Sequence, residues 1–185
     1  HDGDWLLREI RLYWTRVLKR LDVTSRSLIA LIEAGDGCSG TLFELALACD
    51  RIYMLDGNDS SAISLSAMNF GRLPMANGLS RLQTRFLGDL SRITELRKAM
   101  GKLLSAQVAD SLGLVTGIPD EIDWDEEVRL AIEERSSFSG DALTGLEANL
   151  RFAGPETIET KIFGRLSAWQ NWIFQRPNAV GPEGS

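Results

Sequence analysis

The chain has 185 residues with a net charge of −6, and its only histidine is His1. Its arginines are scattered, whereas binding to a nucleic-acid backbone requires clustered basic residues, so we expect no nucleic-acid partner. Two cysteines and one terminal histidine exclude chemistry centred on an internal histidine and give no zinc site. No apolar run reaches the roughly 20 residues that span a bilayer, which predicts no membrane association. We expect a cytoplasmic protein, because two cysteines form no disulfide framework.

The first part of the chain alternates amphipathic helix and short apolar strand. Apolar residues at helical spacing predict a long helix over Asp4–Leu21. The apolar run Ser27–Ile32 predicts a strand buried on both faces, and a glycine-rich turn follows over Gly35–Gly40. A short buried helix over Thr41–Cys49 and a second strand over Arg51–Leu55 come next.

The rest of the chain contains one further strand and then helices. A polar loop over Asp56–Ser61 precedes the strand Ala62–Leu65, and Ser105 is the expected N-cap of a helix that stops at Gly113. The last helix should turn Ile162, Phe163, Leu166, Trp169 and Ile173 inward, and the residues after Arg176 should be irregular. Other helices are predicted over Gly78–Phe86, Ser91–Leu104, Asp123–Arg135, Thr144–Phe152 and Glu156–Phe174. The pattern indicates an α/β domain with a helical C-terminal region.

One interpretation of the glycine turn is a dinucleotide-binding site. Gly35-Asp36-Gly37-Cys38-Ser39-Gly40 fits G-x-G-x-x-G between a strand and a helix, and Asp56 follows the next strand. In a Rossmann domain these glycines admit a pyrophosphate and the acidic residue binds a ribose hydroxyl. The short helix that follows and the long helix that precedes the strand speak against this interpretation.

Glu44 is the most unusual residue of the short helix, because its neighbours are apolar on every side. An uncompensated buried carboxylate costs several kcal/mol. One solution is a raised pKa, which would let Glu44 exchange protons near neutral pH. The N–H groups of Gly40 and Thr41, one helical turn away, would then be free to hold an oxyanion. The other solution is pairing with a buried arginine or a backbone N–H.

Four motifs in order, between residues 27 and 115, resemble the crotonase (enoyl-CoA hydratase/isomerase) superfamily. They are Ser27-Leu-Ile-Ala-Leu-Ile-Glu33 with the glycine turn, Glu44-Leu-Ala-Leu-Ala-Cys-Asp50, Gly71-Arg-Leu-Pro74, and Leu104-Ser-Ala-Gln-Val-Ala-Asp110 with Gly113-Leu-Val115. The resemblance implies a partial crotonase-like α/β core over residues 1–118 and a helical region with a tail over 119–185. It also implies a coenzyme A thioester as substrate, no separate cofactor, no metal and a homo-oligomer. Because four motifs are more specific than one glycine pattern, we prefer this family to a Rossmann domain.

Two further stretches resemble a narrower group within the superfamily. Leu21–Leu28 and Ile173–Gly181 are not general crotonase features, and they are similar to lyases that open the ring of an epoxidised aromatic acyl-CoA with release of formate. Those lyases contain two crotonase-like halves, and this chain resembles most of the second. The resemblance therefore implies an aromatic acyl-CoA substrate and an N-terminal half of the same chain as partner. The absence of an initial methionine agrees with this expectation.

The family pattern also assigns site residues. Its central oxyanion-donor glycine corresponds to Thr41, with Gly40 before it, and Glu44 corresponds to a catalytic carboxylate. The second family carboxylate falls on Ala67, which leaves Glu44 alone. Two hypotheses follow. In one, Gly40 and Thr41 polarise a thioester and Glu44 is the general base. In the other, this segment is a degenerate repeat that stabilises the full-length enzyme.

Overall fold

The structure, a computed structural model, describes residues 4–33, 35, 37–57, 61–87, 89–151 and 156–182. The chain divides into two compact units. The first contains the residues up to Asp22 together with Leu28–Val128, and the second contains Val23–Ser27 and the residues from Arg129 onward. The division after Val128 lies further along the chain than the expected boundary after residue 118.

The first unit begins with the long helix α1 (Trp5–Asp22), as the spacing predicts. Leu18 and Asp22, one turn apart, lie on its buried face, whereas Arg20 is exposed. Short strands and helices make up the rest of the unit. They are β1 (Ile29–Ile32), β2 (Gly37–Ser39), α2 (Thr41–Leu47), β3 (Arg51–Met54), β4 (Ala62–Ser64), a 3-10 helix (Ala67–Phe70), α3 (Arg81–Arg85), α4 (Leu90–Lys98) and α5 (Ala106–Ser111).

The strands form two parallel pairs. β1 pairs with β3, with Ile29 opposite Arg51, and β2 pairs with β4, with Gly37 opposite Ala62. Parallel neighbours require a crossover, which α2 supplies within the β1–β3 connection. The three predicted strands are confirmed. The prediction that β1 is buried on both faces is wrong, because Leu31 is 40% exposed.

The glycine segment is more regular than the predicted turn. Gly37–Ser39 are extended in β2, so only part of the segment reverses direction, and Asp36 lies outside the described residues. Gly40 turns the chain into α2 with φ 53° and ψ −114°, a conformation that favours glycine. A Cβ atom at Gly40 would also lie 3.0 Å from Ser66 Oγ. The position therefore suits a residue without a side chain.

The core of the first unit collects side chains from both strand pairs and from the helices over them. Phe43 of α2 is fully buried while its neighbour Leu42 is exposed, so only one side of α2 is buried. The helix ends at Leu47 rather than at the predicted Cys49. The other central members of this core are Ile32, Ile52, Met54, Ile63, Leu65, Leu82, Leu96, Leu104, Ala109 and Leu114. The core thus fixes α2 against the strands, and with it the residues at its N-terminus.

Serine caps set the starts of the short helices. Ser105 caps α5 as predicted, with its side chain accepting from the Val108 N–H. α3 begins at Arg81 instead of Gly78, because Ser80 accepts from the Gln83 N–H and the Gln83 side chain accepts from the Ser80 N–H. This capping box fixes Arg81 at the first position of α3.

The second unit is helical, as predicted. Its helices are α6 (Trp124–Ser136, which begins in the first unit), α7 (Gly140–Leu150), α8 (Ile158–Lys161), a π-helical turn (Ile162–Leu166), α9 (Ser167–Ile173) and α10 (Pro177–Val180). α7 begins at Gly140 rather than Thr144, because Ser139 caps it. α10 corrects the expectation that the residues after Arg176 are irregular.

The last predicted helix is wrong in two respects. The π-helical turn interrupts it, and the three predicted core residues within that turn are exposed, Ile162 by 39%, Phe163 by 77% and Leu166 by 50%. Only Trp169 and Ile173 pack inward as expected, against Gly145 of α7.

Some predicted features fall outside the described residues. These are Asp36 of the glycine turn, positions 58–60 of the polar loop, Phe152 at the end of the predicted helix and residues 183–185 of the tail. Within the described ranges, no helix combines the length and the apolar character needed to cross a bilayer.

Candidate functional site

Four polar side chains from separate elements of the first unit meet in its interior. Asp22 ends α1, Glu44 lies in α2, Asn69 lies in the 3-10 helix and Arg81 begins α3. All four are buried, and Glu44 is only 1% exposed. We call this set the Arg81 cluster. Buried charges require partners, and each member of the cluster forms a hydrogen bond with at least one other member.

Arg81 is the hub of the cluster. Its Nε and Nη2 donate to the two oxygens of Asp22, at 3.1 and 2.5 Å, in a bidentate pair. Its Nη1 donates to Glu44 Oε2 at 2.9 Å and to the Leu73 carbonyl at 3.0 Å. Leu73 belongs to the Gly71–Pro74 turn. One guanidinium therefore ties α1, α2, α3 and this turn together.

Both carboxylate oxygens of Glu44 are engaged. Oε2 accepts from Arg81, and Oε1 accepts from Asn69 Nδ2 at 3.0 Å. Burial raises the pKa of the Glu44 carboxyl above its ordinary value of 4.5. The Asn69 hydrogen bond and the Arg81 charge oppose this rise, while the Asp22 charge adds to it.

Features of both interpretations of Glu44 are present in the geometry. Its pKa is raised, as the catalytic interpretation requires, but its oxygens contact protein groups on both sides and have almost no solvent access. The carboxylate is paired with a buried arginine, as the alternative interpretation states.

Sequence reasoning did not identify Asp22, Asn69 or Arg81. One signal was available for Asp22, because it follows the buried Leu18 by one helical turn.

The two N–H groups assigned to an oxyanion differ in availability. The Gly40 N–H donates to the Ser64 carbonyl at 3.2 Å, so the expectation that it is free to hold an oxyanion is wrong. The Thr41 N–H has no acceptor among the described residues, as befits the first position of a helix. Thr41 is therefore the available backbone donor of the pair.

Thr41 lies in the wall of an open cavity of about 680 Å³. Its other walls are one face of α1, which includes Leu7, Ile10 and Trp14, and Met68 of the 3-10 helix. Arg8, Arg11 and Arg72 add positive charge. No carboxylate is present among the described residues that line the cavity, and Glu44 lies outside it.

The dinucleotide interpretation does not fit this geometry. Gly37–Ser39, which would have cradled a pyrophosphate, pair with β4 as a strand. Asp56 accepts a hydrogen bond from Gln107 Nε2 at 3.3 Å and lies beside Asp120. These contacts give the acidic residue a structural explanation within the protein.

Solved structures share this architecture. An enoyl-CoA hydratase from Bacillus anthracis has a TM-score of 0.75 at 19% identity, with 96% of this chain and 66% of that chain covered. The chain has the crotonase fold. An enoyl-CoA hydratase from Geobacillus kaustophilus gives 0.72 at 20% identity, with 97% and 65% covered. The predicted crotonase-like fold is confirmed, and the Rossmann alternative is wrong.

A sequence comparison is more specific than the crotonase fold. A benzoyl-CoA-dihydrodiol lyase from Aromatoleum evansii is 58% identical over 183 residues, which are 98% of this chain. The chain spans 33% of that protein, about a third of its length. No protein-family model matches the chain.

The cluster predicts a large effect of removing Arg81. In Arg81→Met, Asp22 and Glu44 lose their shared cation while they stay buried, so we expect a loss of about 3–5 kcal/mol in the free energy of unfolding. The control is Arg92→Met in α4, which removes the exposed Arg92–Glu95 pair and should cost less than about 1 kcal/mol. Urea denaturation of both variants measures this difference, and equal losses would show that the cluster is not stabilising.

Glu44 predicts a pH dependence of stability. Because its folded pKa is raised, the native state holds a proton that the unfolded state releases above pH 4.5, so stability falls as pH rises from 4.5 through the folded pKa. Glu44→Gln cannot lose this proton. The stability of Glu44→Gln relative to the unaltered protein should therefore increase with pH across that window. Urea midpoints at a series of pH values test this, and a flat or falling difference would contradict it.

Proposed function

We propose that this chain is part of a cytoplasmic lyase that opens the ring of 2,3-epoxybenzoyl-CoA with water and releases formate in aerobic benzoate degradation. The observation that carries the proposal is the 58% identity to a benzoyl-CoA-dihydrodiol lyase over nearly the whole chain. Because the chain spans a third of that relative, the proposed active enzyme is the full-length protein. The rest of that protein is then a partner of this segment, and we expect the enzyme to be a homo-oligomer.

The cavity beside Thr41 suits such a substrate. Its volume of about 680 Å³ falls within the range of roughly 300–1,000 Å³ typical of small-molecule sites. Leu7, Ile10 and Trp14 of α1 offer apolar contacts for an aromatic acyl group. The three arginines of the cavity suit the phosphate groups of coenzyme A, since guanidinium groups form strong hydrogen bonds to phosphate.

In this proposal the Thr41 N–H donates to the thioester carbonyl, where negative charge develops during the reaction. A preorganised N–H in such a position stabilises the transition state more than the ground state. Gly40 contributes the turn that presents this N–H. Glu44 is a structural residue here, not the general base, because both of its oxygens are engaged in the Arg81 cluster. The acid and base groups then come from elsewhere in the full-length protein.

A second candidate is a degenerate repeat that stabilises the enzyme without touching the substrate. The observations in its favour are the engaged Glu44 and the alanine at position 67, where the family has its second carboxylate. The two candidates differ on one point, which is whether the Thr41 N–H takes part in turnover.

A proline at position 41 separates the two candidates. Thr41→Pro removes the N–H, and proline is well tolerated at the first position of a helix. Gly40, with ψ −114°, is also outside the α region that a following proline disfavours. The matched control is Thr41→Ala, which removes the side chain and keeps the N–H.

We expect Thr41→Pro in the full-length protein to lower kcat for formate release from 2,3-epoxybenzoyl-CoA by about 10²–10³-fold. Thr41→Ala should keep a kcat close to that of the unaltered protein. Equal turnover by the two variants would favour the structural repeat. Absence of formate release by the unaltered full-length protein would instead show that the substrate assignment is wrong.

A further inference from the structure

We propose that Asn69 is a positioning residue, which aims the Thr41 N–H at the substrate by holding the Gly40 carbonyl. The inference rests on the proposed role of Thr41. It assigns a function to a side chain that the family motifs do not mark.

The hydrogen bonds of Asn69 fix its amide in one orientation. Its Oδ1 accepts from the Ser66 N–H at 2.8 Å. Its Nδ2 donates to the Gly40 carbonyl at 2.9 Å and to Glu44 Oε1 at 3.0 Å, which uses both amide hydrogens. A flipped amide would place its oxygen against two other acceptors. Asn69 is fully buried, so water cannot compensate for a lost bond.

The Gly40 carbonyl and the Thr41 N–H belong to the same peptide group. In a planar trans peptide these two groups point in opposite directions, so a donor that holds the carbonyl also sets the direction of the N–H. The carbonyl points towards Asn69 and towards the Glu44 N–H, which donates to it at 3.0 Å. The Thr41 N–H must therefore point away from the Arg81 cluster.

The hydrogen bond from Asn69 matters because the peptide that it holds follows a glycine. Glycine has no side chain to restrict its dihedral angles, so the peptide that follows it can rotate more easily than one that follows another residue. The Gly40 N–H is held by Ser64, and its carbonyl is held by Asn69 and by the first helical bond of α2. Among the described residues, Asn69 supplies the side-chain hydrogen bond that fixes this peptide from outside α2, and its removal takes that bond away.

The Arg81 cluster gives Asn69 its rigidity. Asn69 is bonded to Glu44, Glu44 to Arg81, and Arg81 to Asp22 of α1. These are charge-assisted bonds in a buried site, which are stronger than neutral bonds at the surface. Glu44 thus acts on the oxyanion site indirectly, by holding the amide that holds the peptide.

The test is a double-mutant cycle in the full-length protein. Asn69→Ala should lower kcat for formate release on the order of 10- to 100-fold, with a smaller effect on KM, because a misdirected N–H affects mainly the transition state. The same change should be nearly silent in the Thr41→Pro background, where no N–H remains to be aimed. In the Thr41→Ala background it should keep its full effect.

Ser66→Ala is the control for destabilisation alone. It removes the cap of the same 3-10 helix, a 3.2 Å bond from the Met68 N–H, and leaves the Asn69 bond to Gly40 in place. We expect it to lower the urea midpoint while kcat is retained.

The outcomes separate the two proposals. Asn69 is not a positioning residue if Asn69→Ala leaves kcat unchanged, or if it lowers kcat equally in the Thr41→Pro and Thr41→Ala backgrounds. In either case, a lower kcat of Thr41→Pro alone would still support the proposed role of the Thr41 N–H. If Thr41→Pro matches Thr41→Ala in turnover, the catalytic role of the Thr41 N–H fails and the positioning role of Asn69 fails with it, whereas the lyase assignment fails only if the unaltered full-length protein releases no formate.

A second variant covers the case in which Asn69→Ala does not fold. Asn69→Leu keeps nearly the same side-chain volume, adds no charge beside Glu44 and lacks both donors. The infrared carbonyl band of bound benzoyl-CoA is then the readout, since it does not depend on turnover. We expect the band to shift to lower wavenumber in the unaltered protein and to lose that shift in Asn69→Leu and Thr41→Pro. A shift retained in Asn69→Leu would overturn the positioning role.

Discussion

One guanidinium shared between two buried carboxylates holds the first unit in its observed arrangement. Each charge of the Arg81 cluster would cost several kcal/mol if it were buried alone, and the cluster offsets part of that cost by pairing the charges across three helices. Because Arg81 also binds the Leu73 carbonyl, the turn before α3 is fixed by the same side chain. The position of α2, and of the N–H at its start, follows from this network together with the apolar core.

The cluster also changes the interpretation of the family motif. The sequence resemblance implies a catalytic carboxylate at Glu44, yet Arg81 and Asn69 each form a hydrogen bond to one of its oxygens. Its raised pKa comes chiefly from burial, so the pKa alone is not a sign of catalysis in this chain. In the proposed function, the segment contributes backbone chemistry, since an N–H group at position 41 does not depend on which side chain is present.

Local sequence patterns predicted most of the first unit. Helical spacing identified α1, short apolar runs identified β1, β3 and β4, and Ser105 marked the start of α5. These features depend on neighbouring residues only. The pairing of Glu44 with an arginine could also be anticipated, because an isolated buried carboxylate is unstable.

The identity of the partners could not be predicted in the same way. Arg81 is 37 residues from Glu44 and 59 from Asp22, and spacing carries no information about contacts over such distances. The role of Asn69 depends on the orientation of one peptide, which no sequence pattern encodes. In the second unit, the π-helical turn made part of the prediction for residues 156–174 wrong, because Ile162, Phe163 and Leu166 lie within the turn, where the helical period of 3.6 residues does not hold.

The most direct test follows the Thr41 amide and the Glu44 carboxyl by NMR while benzoyl-CoA is added to the full-length protein. We predict that the Thr41 amide proton moves downfield as it binds the thioester carbonyl, while the side-chain carboxyl carbon of Glu44 keeps its chemical shift. A Thr41 signal that does not respond, together with a Glu44 carboxyl that does, would contradict the central claim that Glu44 is structural and that the backbone N–H meets the substrate.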